Sequence, residues 1–189
     1  MQPACLDLSI IPGTTYRDTV RLMQPEFAYK PITALGGAPL RLTVQHGLAG
    51  DWPVWVRGVS GMPDLNREPD KQLPWRAAYI DASTLEINAL SAAGLAPAGG
   101  ELVYRLPVDL VGAVVVMRFT RAGQEVLELT LGAGLEQTTP GTITRALTPE
   151  QTELLAGDWH YTLDVTFSDG AVVRYYQGGS SPGACCNGC

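Results

Sequence analysis

The sharpest chemical feature of the sequence is Cys185-Cys186-x-x-Cys189 near its C-terminal end. Three thiolates this close together suit a soft metal ion or an iron–sulfur cluster. The fourth ligand would then be Cys5, a histidine or a neighbouring subunit. The competing reading is a tail with idle thiols, or one that docks on a partner. The two histidines, His46 and His160, have no His or Cys partner at metal-site spacing. His46 reads as a turn hydrogen bond and His160 as a strand-face side chain. Asp64, Glu68, Asp70 and Asp81 crowd one proline-containing stretch. Paired carboxylates there would serve acid–base chemistry, but acids in such a loop are ordinarily solvated. The sequence has neither a Gly-x-Ser-x-Gly elbow nor a phosphate-cradling loop. It therefore assigns no catalytic residue, no cofactor and no metal site, and reads as a non-enzyme.

Composition narrows the partners. The 189 residues carry 13 Lys+Arg against 19 Asp+Glu, a net charge of −6. An acidic chain with scattered cations lacks the electrostatic footprint of a nucleic-acid binder. A hydrophobic fraction of 46% with 17% charged residues fills a core. The longest clean apolar run, Val111 to Met117, is far short of the ~20 residues a membrane helix needs, so no membrane insertion is expected. No basic segment precedes Asp7, as a secretory signal would require. Cys5 and the three tail cysteines fall outside the predicted folded body. The expectation is a fold without a disulfide framework, made in a reducing cytosol.

The elements that must position any site are short strands between turns. Arg41–Gln45, Pro53–Arg57, Thr84–Asn88 and Glu101–Arg105 alternate polar and apolar residues. Ala113–Phe119, Val126–Leu131, Thr142–Leu147, His160–Phe167 and Ala171–Tyr176 form a second set, with a hairpin turn at Arg121–Gln124 and another at Ser168–Gly170. Thr148-Pro-Glu-Gln151 predicts a short helix through a capping box, with Pro at the first helical position and an acid in the first turn. Leu154 and Leu155 give it an apolar face and Gly157 ends it. After Gly178 the chain reads as a linker.

Residues 33–104 resemble a small β module of tailed-phage structural proteins, described as similar to the first catalytic-cysteine half-domain of ubiquitin-activating enzymes. The carriers are Ala38-Pro39, Leu42-Thr43, His46-Gly47-Leu48, Trp52-Pro53-Val54, Gly58-Val59, Gly61-Met62, Leu65-Asn66, Ile80-Asp81, Thr84-Leu85-Glu86-Ile87, Gly94 and Gly99-Gly100. A thioester role lacks its nucleophile, because no cysteine lies between residues 6 and 184. Trp52 and Trp55 are of a size to fill such a barrel, and Asn66 suits a side-chain turn cap. Residues 105–178 resemble the second half of a β-sandwich of tail collar and fibre-attachment proteins. Here the carriers are Pro107–Gly112, Arg118, Leu147–Thr152, Tyr161–Val165, Asp169-Gly170 and Gln177-Gly178, with Ile11–Val20 fitting the opening strands.

The resemblance implies an all-β fold: an Ig-like β-sandwich of residues 1–32 and 105–178, an inserted small β-barrel of residues 33–104, one short helix, and a Cys-containing tail at 179–189. It further implies a virion structural protein of a tailed bacteriophage, in the tail tip, baseplate or collar. Its expected partners are other virion proteins: a homo-oligomeric ring with tail or fibre proteins. A capsid decoration or head-fibre protein follows the same logic. A host-surface carbohydrate-binding module is the remaining alternative, with Trp52, Trp55, Trp75 and Trp159 as stacking candidates. Tyr16, Phe27, Tyr29, Tyr175 and Tyr176 are aromatics near predicted element ends, a residue type that interfaces favour.

Overall fold

The computed structural model describes residues 2–69 and 71–180. In chain order the strands are β1 (Ala4–Cys5), β2 (Tyr16–Arg21), β3 (Met23–Pro31), β4 (Ala34–Gly36), β5 (Leu40–Thr43), β6 (Trp52–Arg57), β7 (Trp75–Asp81), β8 (Thr84–Ile87), β9 (Glu101–Pro107), β10 (Val114–Arg121), β11 (Gln124–Leu131), β12 (Gly134–Thr139), β13 (Thr142–Leu147), β14 (His160–Thr166) and β15 (Val172–Gly179). One short helix, α1 (Pro149–Glu153), interrupts them. The fold is all-β, and the chain forms two compact units, Met1–Leu22 with Val108–Cys189, and Met23–Pro107.

The first unit is an eight-stranded sheet in the order β1-β15-β14-β10-β11-β12-β13-β2. Its inward residues obey period two: Val115, Met117 and Phe119 on β10, Tyr161, Leu163 and Val165 on β14, Ile143 and Leu147 on β13. Trp159 meets Phe119 edge-on at 5.4 Å between ring centres. The sheet curls around this core at a corner between β11 and β12. Those strands share only two pairs, in parallel, Thr130 with Gly134 and Leu131 with Leu135. Gly134 suits the corner twice over. Its φ is +85°, and a Cβ there would lie 2.6 Å from Leu129 Cδ2.

The second unit is a seven-stranded sheet in the order β3-β9-β6-β7-β8-β5-β4. β3 and β4 are parts of one bent segment, of which the first pairs with β9 and the second with β5. The segment 23–36 thus borders both margins, and the sheet closes around its own core of Leu40, Leu42, Trp52, Val54, Leu85 and Leu102, among others. The expected insert began at residue 33 and ended at 104. The structure sets its limits at Met23 and Pro107, because β3 pairs with β9 at both of its ends, Pro31 opposite Glu101 and Met23 opposite Pro107, with an irregularity between Met23 and Phe27.

Three local expectations change. Residues 11–15 form a turn, with the Thr14 amide on the Ile11 carbonyl, so β2 starts only at Tyr16. β15 continues through Gly179, where a linker was expected to follow Gly178. Cys5 lies in β1, in parallel register with β15, and is disulfide-bonded. This differs from the expectation of a fold free of disulfides. Cys185, Cys186 and Cys189 lie outside the described residues.

Candidate functional site

β6 and β9 each send alternate residues in opposite directions. Val54 and Val56, and Leu102 and Tyr104, enter the interior core. Trp55 and Val103 are buried yet belong to the opposite face. Register then lines up a cross-strand row, Tyr29 on β3, Val103 on β9 and Trp55 on β6. Neighbouring rows pair Phe27 with Arg105, and Pro31 with Glu101 and Arg57. The result is an aromatic face on the outside of the closed sheet.

Its geometry is tightly held. Phe27 stands edge-on to Trp55, with ring centres 5.8 Å apart. The Arg105 guanidinium lies 4.8 Å from the centre of the Phe27 ring, and that of Arg57 lies 4.9 Å from Tyr29. Arg57 also binds Glu101 at 2.9 Å, which raises its pKa. Arg105 has no carboxylate partner among the described residues. The Trp55 indole N–H donates to the Gln72 carbonyl at 2.7 Å, and the next residue, Leu73, is 82% exposed. Tyr29 is 49% exposed. Tryptophan, tyrosine and arginine grouped at one surface form the composition of a protein–protein hot spot.

The candidates raised by the sequence are scattered. Asp64, Glu68 and Asp81 are exposed, and Asp70 lies outside the described residues. Asp81 Oδ1 accepts from the Ser83 amide and hydroxyl, and these bonds lower its pKa. No group of three His, Cys, Asp or Glu able to hold a metal occurs among the described residues. His160 is exposed on β14. His46 is buried: Nδ1 accepts from the Leu48 amide at 3.0 Å, Nε2 faces the Asp81 carbonyl at 2.9 Å, and burial lowers the pKa. Asn66 does more than cap a turn. Its side chain pairs with both backbone groups of Val59 at 2.9 Å, as a strand residue would.

Trp52 and Trp159 are buried in the two cores, which withdraws them as sugar-stacking platforms. Trp75 packs against the core as well, with the Arg67 guanidinium 3.2 Å from its ring centre and its N–H on the Leu65 carbonyl. Of the interface aromatics, Tyr175 is buried, while Tyr176 donates to the Arg21 carbonyl at 2.8 Å. Phe27 and Tyr29 are the pair that reaches the outer face. Sequence reasoning missed Arg57, Val103 and Arg105 there. The available signal was parity: Phe27 and Tyr29 sit two apart, as face partners on a strand must.

One buried cluster in the first unit was also missed. Arg145 replaces an apolar residue on the inward side of β13 and is fully buried. Its Nη2 pairs with Asp18, its guanidinium lies 5.9 Å from the Tyr161 ring centre, and its Nε and Nη1 meet no acceptor among the described residues. Burial pushes the neighbouring Tyr16 hydroxyl up to about 12, with Arg145 opposing and Asp18 adding to the rise. A hollow of about 500 Å³ lies beside the Gly132–Gly134 corner, and another of about 430 Å³ is lined by Asp51, Arg76 and Asn88.

No family model matches the chain, and no curated protein matches it. Among solved structures, a tri-modular GH5 (subfamily 4) endo-beta-1,4-glucanase from Bacillus licheniformis aligns over 82% of this chain at 13% identity and a TM-score of 0.23. The chain spans 38% of that protein's length. At that TM-score nothing about fold or activity passes to this chain.

Proposed function

We propose that this chain is a non-enzymatic structural protein of a tailed-bacteriophage virion, a tail-tip, baseplate or collar component that assembles into a ring and anchors fibres or receptor-binding proteins. The reading rests first on the family resemblance of residues 33–104 and 105–178. The observation that carries it in the structure is the outer face of β3, β9 and β6, where Phe27, Tyr29, Trp55, Arg57 and Arg105 meet on a rigid sheet. A surface of that make-up serves assembly, since affinity concentrates in a few buried aromatic and arginine anchors. The chain works in this reading through its surfaces.

Mass spectrometry of purified virions, with immunogold labelling of intact particles, tests the proposal. The expected result is the protein in stoichiometric amount, with label at the tail. Absence of the protein from purified particles would overturn it, and label on the head would move it to the capsid.

A further inference from the structure

The aromatic face presents apolar rings and one arginine, Arg105, without a carboxylate partner among the described residues, and the chain carries a segment of complementary character. Residues 1–22 and 108–189 hold six Arg and eleven Asp+Glu, a net of −5, whereas residues 23–107 hold seven Lys+Arg and eight Asp+Glu, a net of −1. Much of the excess negative charge gathers around α1. Glu150, Glu153 and Asp158 are exposed and have no cationic partner among the described residues. Leu154, between them, is 51% exposed. It lies one turn beyond Glu150, so the two share a side of the helix. The protrusion is fixed in place: Arg121 Nη2 donates to the Leu154 and Ala156 carbonyls at 2.5 and 2.6 Å, and the Thr152 hydroxyl donates to the Thr14 carbonyl at 2.8 Å.

We infer that the β3–β9–β6 face of one copy binds the α1 protrusion of a second copy. This rests on the assembly reading above and names the contact that assembly uses. Leu154 meets the exposed Tyr29 and Leu73 and the half-buried Phe27, with the buried Trp55 behind them. The carboxylates around it meet Arg105, whose charge has no carboxylate partner among the described residues. Both sides are held rigid before they meet, which lowers the ordering cost of association. The contact joins two different surfaces, so it propagates from copy to copy and yields a ring where the rotation closes.

The test is sedimentation velocity of the full chain across a concentration series at low and high salt. Self-association is expected at low salt and weakens as salt rises, because the charges sit at an exposed rim. Arg105→Glu and Glu153→Arg should each weaken it about tenfold or more by placing like charges together. An equimolar mixture of the two variants should regain it, since each then supplies the charge the other lacks. Glu153 is exposed and Arg105 half-buried, and melting temperatures close to that of the parent protein establish that the variants fold. A monomer at every concentration, association that neither variant changes, or loss that the mixture does not restore would each overturn the inference. A protein present in virions yet monomeric in solution defeats this contact alone. Absence from virions defeats the assembly reading itself.

Discussion

With its Nδ1 accepting one backbone N–H and its Nε2 donating to a carbonyl, His46 has no free site for a second proton. Burial depresses its pKa accordingly, so the unfolded chain takes up a proton that the folded chain refuses. Stability should therefore be undiminished at neutral pH and fall as pH drops below about 6.5. Denaturant titrations between neutral and mildly acidic pH should show a smaller loss in His46→Gln than in the parent protein. Arg145 supplies a second case. Asp18→Asn leaves its cation buried and uncompensated, a change of about 3 kcal/mol or more. Replacing both partners, Arg145→Met with Asp18→Val, should recover much of the loss, measured by the same titrations. The sequence announces His46 as a turn residue, and its hydrogen bond to Leu48 two residues away is a local event that spacing reveals. It gives no sign of the Arg145–Asp18 pair, which forms only because β13 and β2 become neighbours across more than a hundred residues of chain.

The legible strands are those with strong alternation and a local hairpin partner. β10 and β11 are joined through Ala122 and Gly123, both at positive φ, as the predicted turn at Arg121–Gln124 requires. The capping box at Thr148 forms with both of its bonds, Gln151 amide to Thr148 hydroxyl and Thr148 amide to Gln151 side chain. The Arg121 contact that finishes the helix was not legible, since it reaches from a hairpin more than thirty residues away. β3 and β7 also escaped. β3 carries Pro25 and Pro31, which demote a strand pattern, and it survives as an edge strand where a missing N–H costs little. The resemblance placed Gly178 at the end of the sandwich without a reason for a glycine there. Here it answers a close approach: a Cβ would lie 2.2 Å from the Leu6 carbonyl oxygen. Gly178→Ala should loosen the β1–β15 ladder, seen as faster hydrogen exchange at the Leu6 and Leu8 amides, which bond to Gln177 and Gly179.

At the level of the whole molecule, the insertion was readable and its limits were not. The resemblance located a second β unit inside the first, but β3 joins that unit through partners some seventy residues away. The chain leaves and re-enters the first unit at adjacent points, Val108 donating to the Leu22 carbonyl at 3.0 Å. Joining Leu22 to Val108 through a short glycine linker should therefore leave a folded remainder. A β-type far-UV circular dichroism spectrum with a cooperative melt would show it, and a chain without a melting transition would contradict it.

The parallel register of β1 and β15 has a mechanical consequence. Ala4 lies beside Tyr176 and Cys5 beside Gln177, so the chain before β1 and the chain after β15 depart at opposite ends of one ladder. Tension between those two points slides the strands lengthwise and strains their bonds together, instead of peeling them one at a time. Cys5 adds a covalent tie in the same strand. Stretched between those points, the paired ends of β1 and β15 hold or part as one.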